Sequence, residues 1–301
     1  MAFLTDNMRG ALFMMGSMTA FTVNDAFMKS VSTDLPLMQS IFLRGVIVLP
    51  LLILLCKSMG QLRFDLSRRD WTLVLIRTVA EMGGAFLFIK ALFNMPLANV
   101  SAILQALPLT VSLAAALFFQ EPLGWRRITA IIVGFAGVLL IVRPGGADFN
   151  VYSIYAIAAV LIVTVRDLAA RRMSRDVPST LAAVVAAIGV TVMAAIGLLT
   201  ETWVPVTVPH VGFLTGAAVF IIGGYVFSVA AMRVGEIGFV APFRYTSLLV
   251  ALILGFLVFG EIPKALTFLG AGIVVAMGLF TLYREQRVKR RLARHMASQP
   301  Q

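Results

Sequence analysis

Seven charged side chains interrupt stretches of sequence that are otherwise apolar: Asp25, Arg44, Arg77, Glu81, Arg166, Asp167 and Arg244. A guanidinium in such company recognises carboxylates, phosphates or electron-rich ring edges, and a carboxylate beside it can pair with it, hold a cation or carry a proton. An arginine at the centre of a membrane span is disfavoured by roughly 2.5 to 3.5 kcal/mol on insertion scales, so several of them imply partners, water or cargo. Arg77 and Glu81 stand four apart on one helix face and can pair. Arg44 and Arg244 have no acid at helical spacing on their own segments, so each needs a cross-helix acid such as Asp25 or Glu81, or part of a bound molecule. Arg166 and Asp167 are expected at the end of their segment, near the interface. Phe86, Phe88, Tyr225, Phe227 and Tyr245 add aromatic faces that suit a flat or conjugated cargo beside a cation. Gly83-Gly84 and Gly223-Gly224 mark close helix approach, the commoner use, or flexing. The candidate substrate-binding set is therefore Arg44, Arg77, Glu81, Gly84, Tyr225, Arg244 and Tyr245, with Asp25, Glu81 and Asp167 as carriers of a coupling proton or ion.

The remaining chemistry is thin. Cys56, His210 and His295 are scattered, which gives neither a metal cluster nor a nucleophile with its base, and no metal, cofactor or catalytic role is expected. There is no phosphate-cradling glycine loop ending in Gly-Lys-Ser/Thr, so ATP bound to this chain is not the energy source.

The elements that carry these residues are membrane helices. With 60% hydrophobic and 13% charged residues and a mean hydropathy of +0.95, the chain has too little polar surface to coat a soluble globule. A hydrocarbon core of roughly 30 Å needs about 20 helical residues. Punctuation by Gly, Pro and charge predicts ten spans, near residues 9–29, 37–56, 71–92, 98–119, 126–143, 152–170, 180–200, 211–232, 239–259 and 265–283. Pro108 falls inside the fourth, where it frees a carbonyl and bends the helix, and Pro242 in the first turn of the ninth. The chain also repeats itself. An offset of 140 carries Gly83-Gly84 onto Gly223-Gly224, Ala91 onto Ala231, Phe119 onto Phe259 and Glu121 onto Glu261; an offset of 142 carries Asp25 and Lys29 onto Asp167 and Arg171. Five spans per copy is an odd number, so the second copy enters from the opposite side, giving an all-α membrane protein of two inverted five-helix repeats, 1–147 and 148–284, followed by a basic tail, 285–301.

Lysine and arginine orient it. Seventeen of them, including Arg9, Arg63, Arg126, Arg175, Arg233 and six in the tail, fall at one set of span ends, and only Lys29, Lys90, Arg143 and Lys264 at the other. That bias predicts both termini in the cytoplasm, and it assigns the tail to the anionic bilayer surface and not to nucleic acid.

The whole chain apart from the tail resembles the EamA-type branch of the drug/metabolite transporter superfamily. The resemblance rests on Asn24-Asp25 with Lys29, Leu43-Arg44-Gly45, Glu121-Pro122 and its twin Glu261-Ile262-Pro263, and Ala241-Pro242-Phe243-Arg244-Tyr245. It implies a carrier in the inner membrane, monomeric or homodimeric, moving a small-molecule substrate by alternating access. Within the branch the first and last of these runs resemble the riboflavin and S-adenosylmethionine carriers, so the resemblance implies uptake of a cofactor-sized aromatic compound such as riboflavin; S-adenosylmethionine uptake, or export of amino acids or drugs, are the alternatives.

Overall fold

A computed structural model describes residues 5–120, 124–144, 149–174, 176–234 and 236–297. The regular elements among the described residues are all helices, with no strand: α1 Asp6–Ser30, α2 Leu37–Ser58, α3 Arg68–Asn94, α4 Leu97–Leu104, α5 Leu107–Phe119, α6 Trp125–Val142, α7 Tyr152–Arg172, α8 Ser179–Gly197, α9 Val208–Val234, α10 Ile237–Val240, α11 Thr246–Phe259 and α12 Ala265–Ala297. Each apolar run expected to span is helical. The Glu121-Pro122 turn, Arg175 and the junction expected at 147 and 148 lie outside the described residues.

Nine helices or helix pairs among the described residues are long and apolar enough to cross a membrane. The first helix, α1, has the length, 25 residues, and falls short in hydropathy because Ser17, Thr19, Thr22, Asn24 and Asp25 interrupt it. Large apolar side chains turn outward from the bundle, Leu54, Val79, Leu117, Phe118, Ile132 and Leu257 each more than 60% exposed. In water this would be prohibitive; in hydrocarbon it is the favoured surface.

Local chemistry sets the helix ends. Ser67 caps α3 by accepting the Asp70 N–H at 3.1 Å while its hydroxyl donates to the Asp70 carboxylate at 2.8 Å, a reciprocal cap. The fourth apolar run is broken at Gln105–Ala106. The cause is Pro108, whose ring would collide with the Leu104 carbonyl in a continuous helix. The ninth run breaks as well: α10 gives way to a tight 3-10 turn, Ala241–Tyr245, before α11, and Pro242 sits in the first turn of that segment, where its missing N–H is tolerated. Gln105 Nε2 donates to Ser247 Oγ at 2.6 Å, which ties the two breaks together.

The helices pair across the halves of the chain: α1 with α9, α3 with α7, α2 with α8, α6 with α12, and α4 with α11. Small residues permit it. A Cβ on Gly224 would lie 2.6 Å from the Phe21 ring of α1, one on Gly84 3.0 Å from Val163 of α7, and one on Gly137 2.9 Å from the Gly270 carbonyl of α12. Gly84 and Gly224 are thus packing glycines, whereas Gly223 has open space where a side chain would go.

Candidate functional site

Four helices bring charge to one place, and a fifth brings a tyrosine. On α1, Asn24 is buried and Asp25 partly so. From α2, Arg44 is 9% exposed and its Nη1 donates to Asn24 Oδ1 at 3.4 Å, while Asn24 Nδ2 donates to Asp25 Oδ1 at 2.9 Å. On α3, Arg77 Nη2 lies 3.9 Å from Glu81 Oε2, the helical pair expected from spacing, and Arg77 Nη1 donates to the Ala182 carbonyl of α8 at 3.0 Å. From α7, Arg166 Nη1 reaches both oxygens of Glu81 at 3.4 Å, and its Nη2 holds Asp167 at 2.8 Å. Tyr225 of α9 stands in the field of Glu81, Arg77, Arg166 and Arg44, its ring edge-on to Phe21 with centroids 5.5 Å apart.

Three arginines therefore face three carboxylates, which lowers the cost of holding any of them within a bilayer. The pairing is uneven. Arg166–Asp167 is at the distance of a strong charge-assisted bond, whereas the contacts of Glu81 at 3.4 and 3.9 Å and of Arg44 at 3.4 Å lie outside the 2.7–2.9 Å range for one. Arg44 and Arg77 keep N–H donors beyond the described bonds, and a guanidinium has five. Such a group can exchange a loose internal partner for a carboxylate or polar edge of a ligand, and Glu81 or Asp25 can do the same for a cation.

Of the residues predicted from sequence, Asp25, Arg44, Arg77, Glu81, Asp167 and Tyr225 come together here. Arg166 joins them as the central ion-pair partner of Glu81, where its spacing had suggested an isolated interfacial pair with Asp167. Gly84 serves the α3–α7 contact. Arg244 and Tyr245 lie on the 3-10 turn; the Arg244 side chain is exposed, and the buried Tyr245 hydroxyl abuts Gly278 of α12. No described bond or ion pair joins either to the cluster. Phe86 and Phe88 pack into the apolar core, and Phe227 stacks on Phe13. Asn24 is the cluster residue that a search for charge passes over; its signal is an amide next to an acid inside an apolar helix.

The ends of the bundle have fasteners of their own. Thr207 N–H donates to His210 Nδ1 at 3.2 Å, so Nε2 carries the proton that goes to Asp34 Oδ2, also at 3.2 Å. This bond holds the Asp34 carboxyl below its ordinary value. Glu201 accepts the Met38 N–H at 2.9 Å, which caps α2. At the opposite end Asp70 accepts from Ser174 N and Oγ, both at 3.0 Å, and Gln61 accepts from Thr180 at 2.5 Å.

The family described as the EamA-like transporter family matches twice, over residues 8–143 and 150–283. Among curated proteins, the pseudopaline exporter CntI of Pseudomonas aeruginosa strain UCBPP-PA14 is 28% identical over 288 residues, covering 92% of this chain and 97% of that one. The riboflavin transporter of Vibrio cholerae serotype O1 is 26% identical, over 94% and 96%. The S-adenosylmethionine uptake transporter of Rickettsia prowazekii strain Madrid E is 23% identical, over 93% and 94%.

Proposed function

The chain belongs to the EamA-like transporter family, and we propose that it is a ten-span carrier that moves a small amphoteric metabolite of cofactor size by alternating access, with the cluster between α1, α2, α3, α7 and α9 as its site. It is a multi-pass membrane transporter and not an enzyme. The observation that carries the substrate reading is the balance of charge: Arg44, Arg77 and Arg166 against Asp25, Glu81 and Asp167, with the bonds of Glu81 and Arg44 loose. A net charge on the cargo would leave that balance broken in low dielectric, whereas a zwitterion, or a neutral molecule with donor and acceptor edges, preserves it.

In this reading α1 is the tenth span. It has the length of a span, packs along α9 and brings Asn24 and Asp25 to the cluster. The pairing of α1 with α9 and α3 with α7 maps onto itself when the halves are exchanged, which supports two inverted five-helix repeats, 1–147 and 148–284. The seventeen-to-four bias of lysine and arginine supports cytoplasmic termini in an inner membrane. Repeats rocking about the cluster expose it to one side and then the other, and Asp25, Glu81 or Asp167 carries a proton if the cycle is ion-coupled.

Riboflavin and S-adenosylmethionine are the named probes of the two cargo shapes. S-adenosylmethionine, with a sulfonium and an ammonium against one carboxylate, carries a net positive charge, so the charge balance ranks the neutral riboflavin above it, and the Phe21–Tyr225 pair favours an aromatic ring as well. Counterflow in proteoliposomes decides between them: saturable entry of one labelled probe, accelerated by the same compound inside, supports the carrier and identifies the cargo shape. Flux linear in concentration would refute a carrier.

A further inference from the structure

We propose that Lys29 is the gate residue at one end of the bundle, and that its ammonium holds that end shut in the conformer described here; the proposal rests on the alternating-access reading above. Lys29 sits in the last turn of α1, four residues and so one helical turn beyond Asp25 of the cluster. Its Nζ is 2.9 Å from Glu261 Oε1 and donates to the carbonyls of Leu92, at 3.4 Å, and Met95. Those three acceptors use all three donors of an ammonium. Phe259 adds its ring face 5.5 Å away. The other Glu261 oxygen accepts the Leu97 N–H at 2.7 Å, the first amide of α4, which no intrahelical partner serves.

One lysine thus gathers the end of α1, the carboxyl end of α3, the start of α4 and the connection from α11 to α12. The location gives the contact its meaning. α1 packs with α9 and α3 with α7, so the cluster lies between two helix pairs, and Lys29 bonds one pair to the other at the end beyond the cluster. The side chains of Lys29 and Glu261 are 12% and 16% exposed. Opening this end must separate charges that are fully partnered when it is closed and hydrate each of them, which sets a threshold that a loosely packed apolar contact would lack. Lys29 does not touch the cargo in this scheme; it positions the helices that enclose it.

The test reads conformation without any substrate. In a Cys56→Ser background, spin labels on Thr33→Cys and Asn94→Cys report the Lys29 end, and labels on Met8→Cys and Arg69→Cys report the opposite end. Lys29→Met is expected to raise the open-to-closed ratio at the Lys29 end tenfold or more, equivalent to about 1.4 kcal/mol. At the same time the distances at the far end shorten. Glu261→Gln, which keeps an acceptor for Leu97 and removes the charge, is expected to move both distances the same way and stands in if Lys29→Met does not fold. Unchanged distances, or loosening at the Lys29 end with the far end unmoved, would overturn the proposal, because local damage does not close the other side. Failure of every uptake assay with reciprocal distance changes intact would count against the substrate reading and leave the gate standing; transport with no reciprocal change would do the reverse.

Discussion

Adjacent glycines at 223 and 224 offer a test in which the chemistry of the mutation is held constant. Replacing either by alanine in the middle of α9 removes the same backbone freedom, a gain of about 0.5–1 kcal/mol in a helix interior. Their surroundings differ. A methyl at 223 meets nothing within 4 Å, whereas one at 224 would lie 2.6, 2.7 and 3.0 Å from three carbons of the Phe21 ring. Real carbons do not approach so closely, so either the ring turns or α1 backs away from α9, and overpacking of this kind costs about 1–3 kcal/mol. The propensity gain cancels between the two variants, which leaves that whole penalty as the predicted difference in stability. Phe21 is also the ring that meets Tyr225 edge-on, and Ser17 on the same helix donates to the Gly224 carbonyl at 2.8 Å. Gly224→Ala should therefore raise the KM for whatever probe the carrier accepts as well as lower its midpoint of thermal unfolding in detergent, while Gly223→Ala should match or exceed the parent in stability and keep its KM. Equal effects of the two substitutions would refute the reasoning, since they would mean that α1 and α9 are not packed through Phe21 as described.

Other consequences can be checked on the same preparations. At the proposed site, losing one charge-assisted contact to the cargo is worth about 1.5–3 kcal/mol, so Arg44→Ala should raise the counterflow KM by roughly ten- to a hundredfold; Arg244→Ala, on the exposed turn, should leave it near the parent value. Glu81→Gln should destabilise the protein to thermal unfolding, because Arg77 and Arg166 lose a shared carboxylate in a low-dielectric setting, and Glu81→Asp should recover part of the loss. Gln105→Ala should lower stability by about 1 kcal/mol, the net worth of a neutral hydrogen bond, and Ser247→Ala should add nothing further in the double variant if the 2.6 Å bond is the cause. His210→Ala should remove a contribution to stability that is present above the ordinary Asp34 value of 3.8 and fades as pH falls through the lowered value below it; unfolding midpoints followed into that acid range should converge with the parent's, and a gap that widens toward low pH would contradict the bond.

The helices were legible because each apolar run is long, and in lipid a long apolar run has no other way to satisfy its backbone. Breaks were half legible. Pro108 gives away the fourth run through the Leu104 carbonyl it displaces, and Pro242 marks the break of the ninth, but the tight 3-10 turn there and its packing against α1 and α12 are not written in a local pattern. In the site, Arg77 and Glu81 could be paired from spacing alone. The partner of Arg166 is Glu81, 85 residues away, and that of Lys29 is Glu261 in the other half of the chain; only the fold selects them. Arg244 looked equivalent to Arg44, since both are lone cations in apolar runs, and they differ because Arg44 is buried on a continuous helix where it reaches Asn24, whereas Arg244 is exposed on a run that is broken at the 3-10 turn.

Duplication explains where this chain kept symmetry and where it did not. An offset of 140 carries Asp34 onto Ser174 and Asp70 onto His210, so the Asp34–His210 and Ser174–Asp70 fasteners occupy equivalent places at opposite ends. The positions persist while the chemistry has diverged, into a carboxylate with an imidazole at one end and a carboxylate with a hydroxyl at the other. Nearer the centre, Asp25 and its counterpart Asp167, at an offset of 142, both reach the charged cluster with their type unchanged. A carrier must present one site to two sides, so the centre is held to a common geometry by the same molecule in both orientations. The ends are under no such constraint, because each closes against a different compartment and needs only a bond that can be broken there.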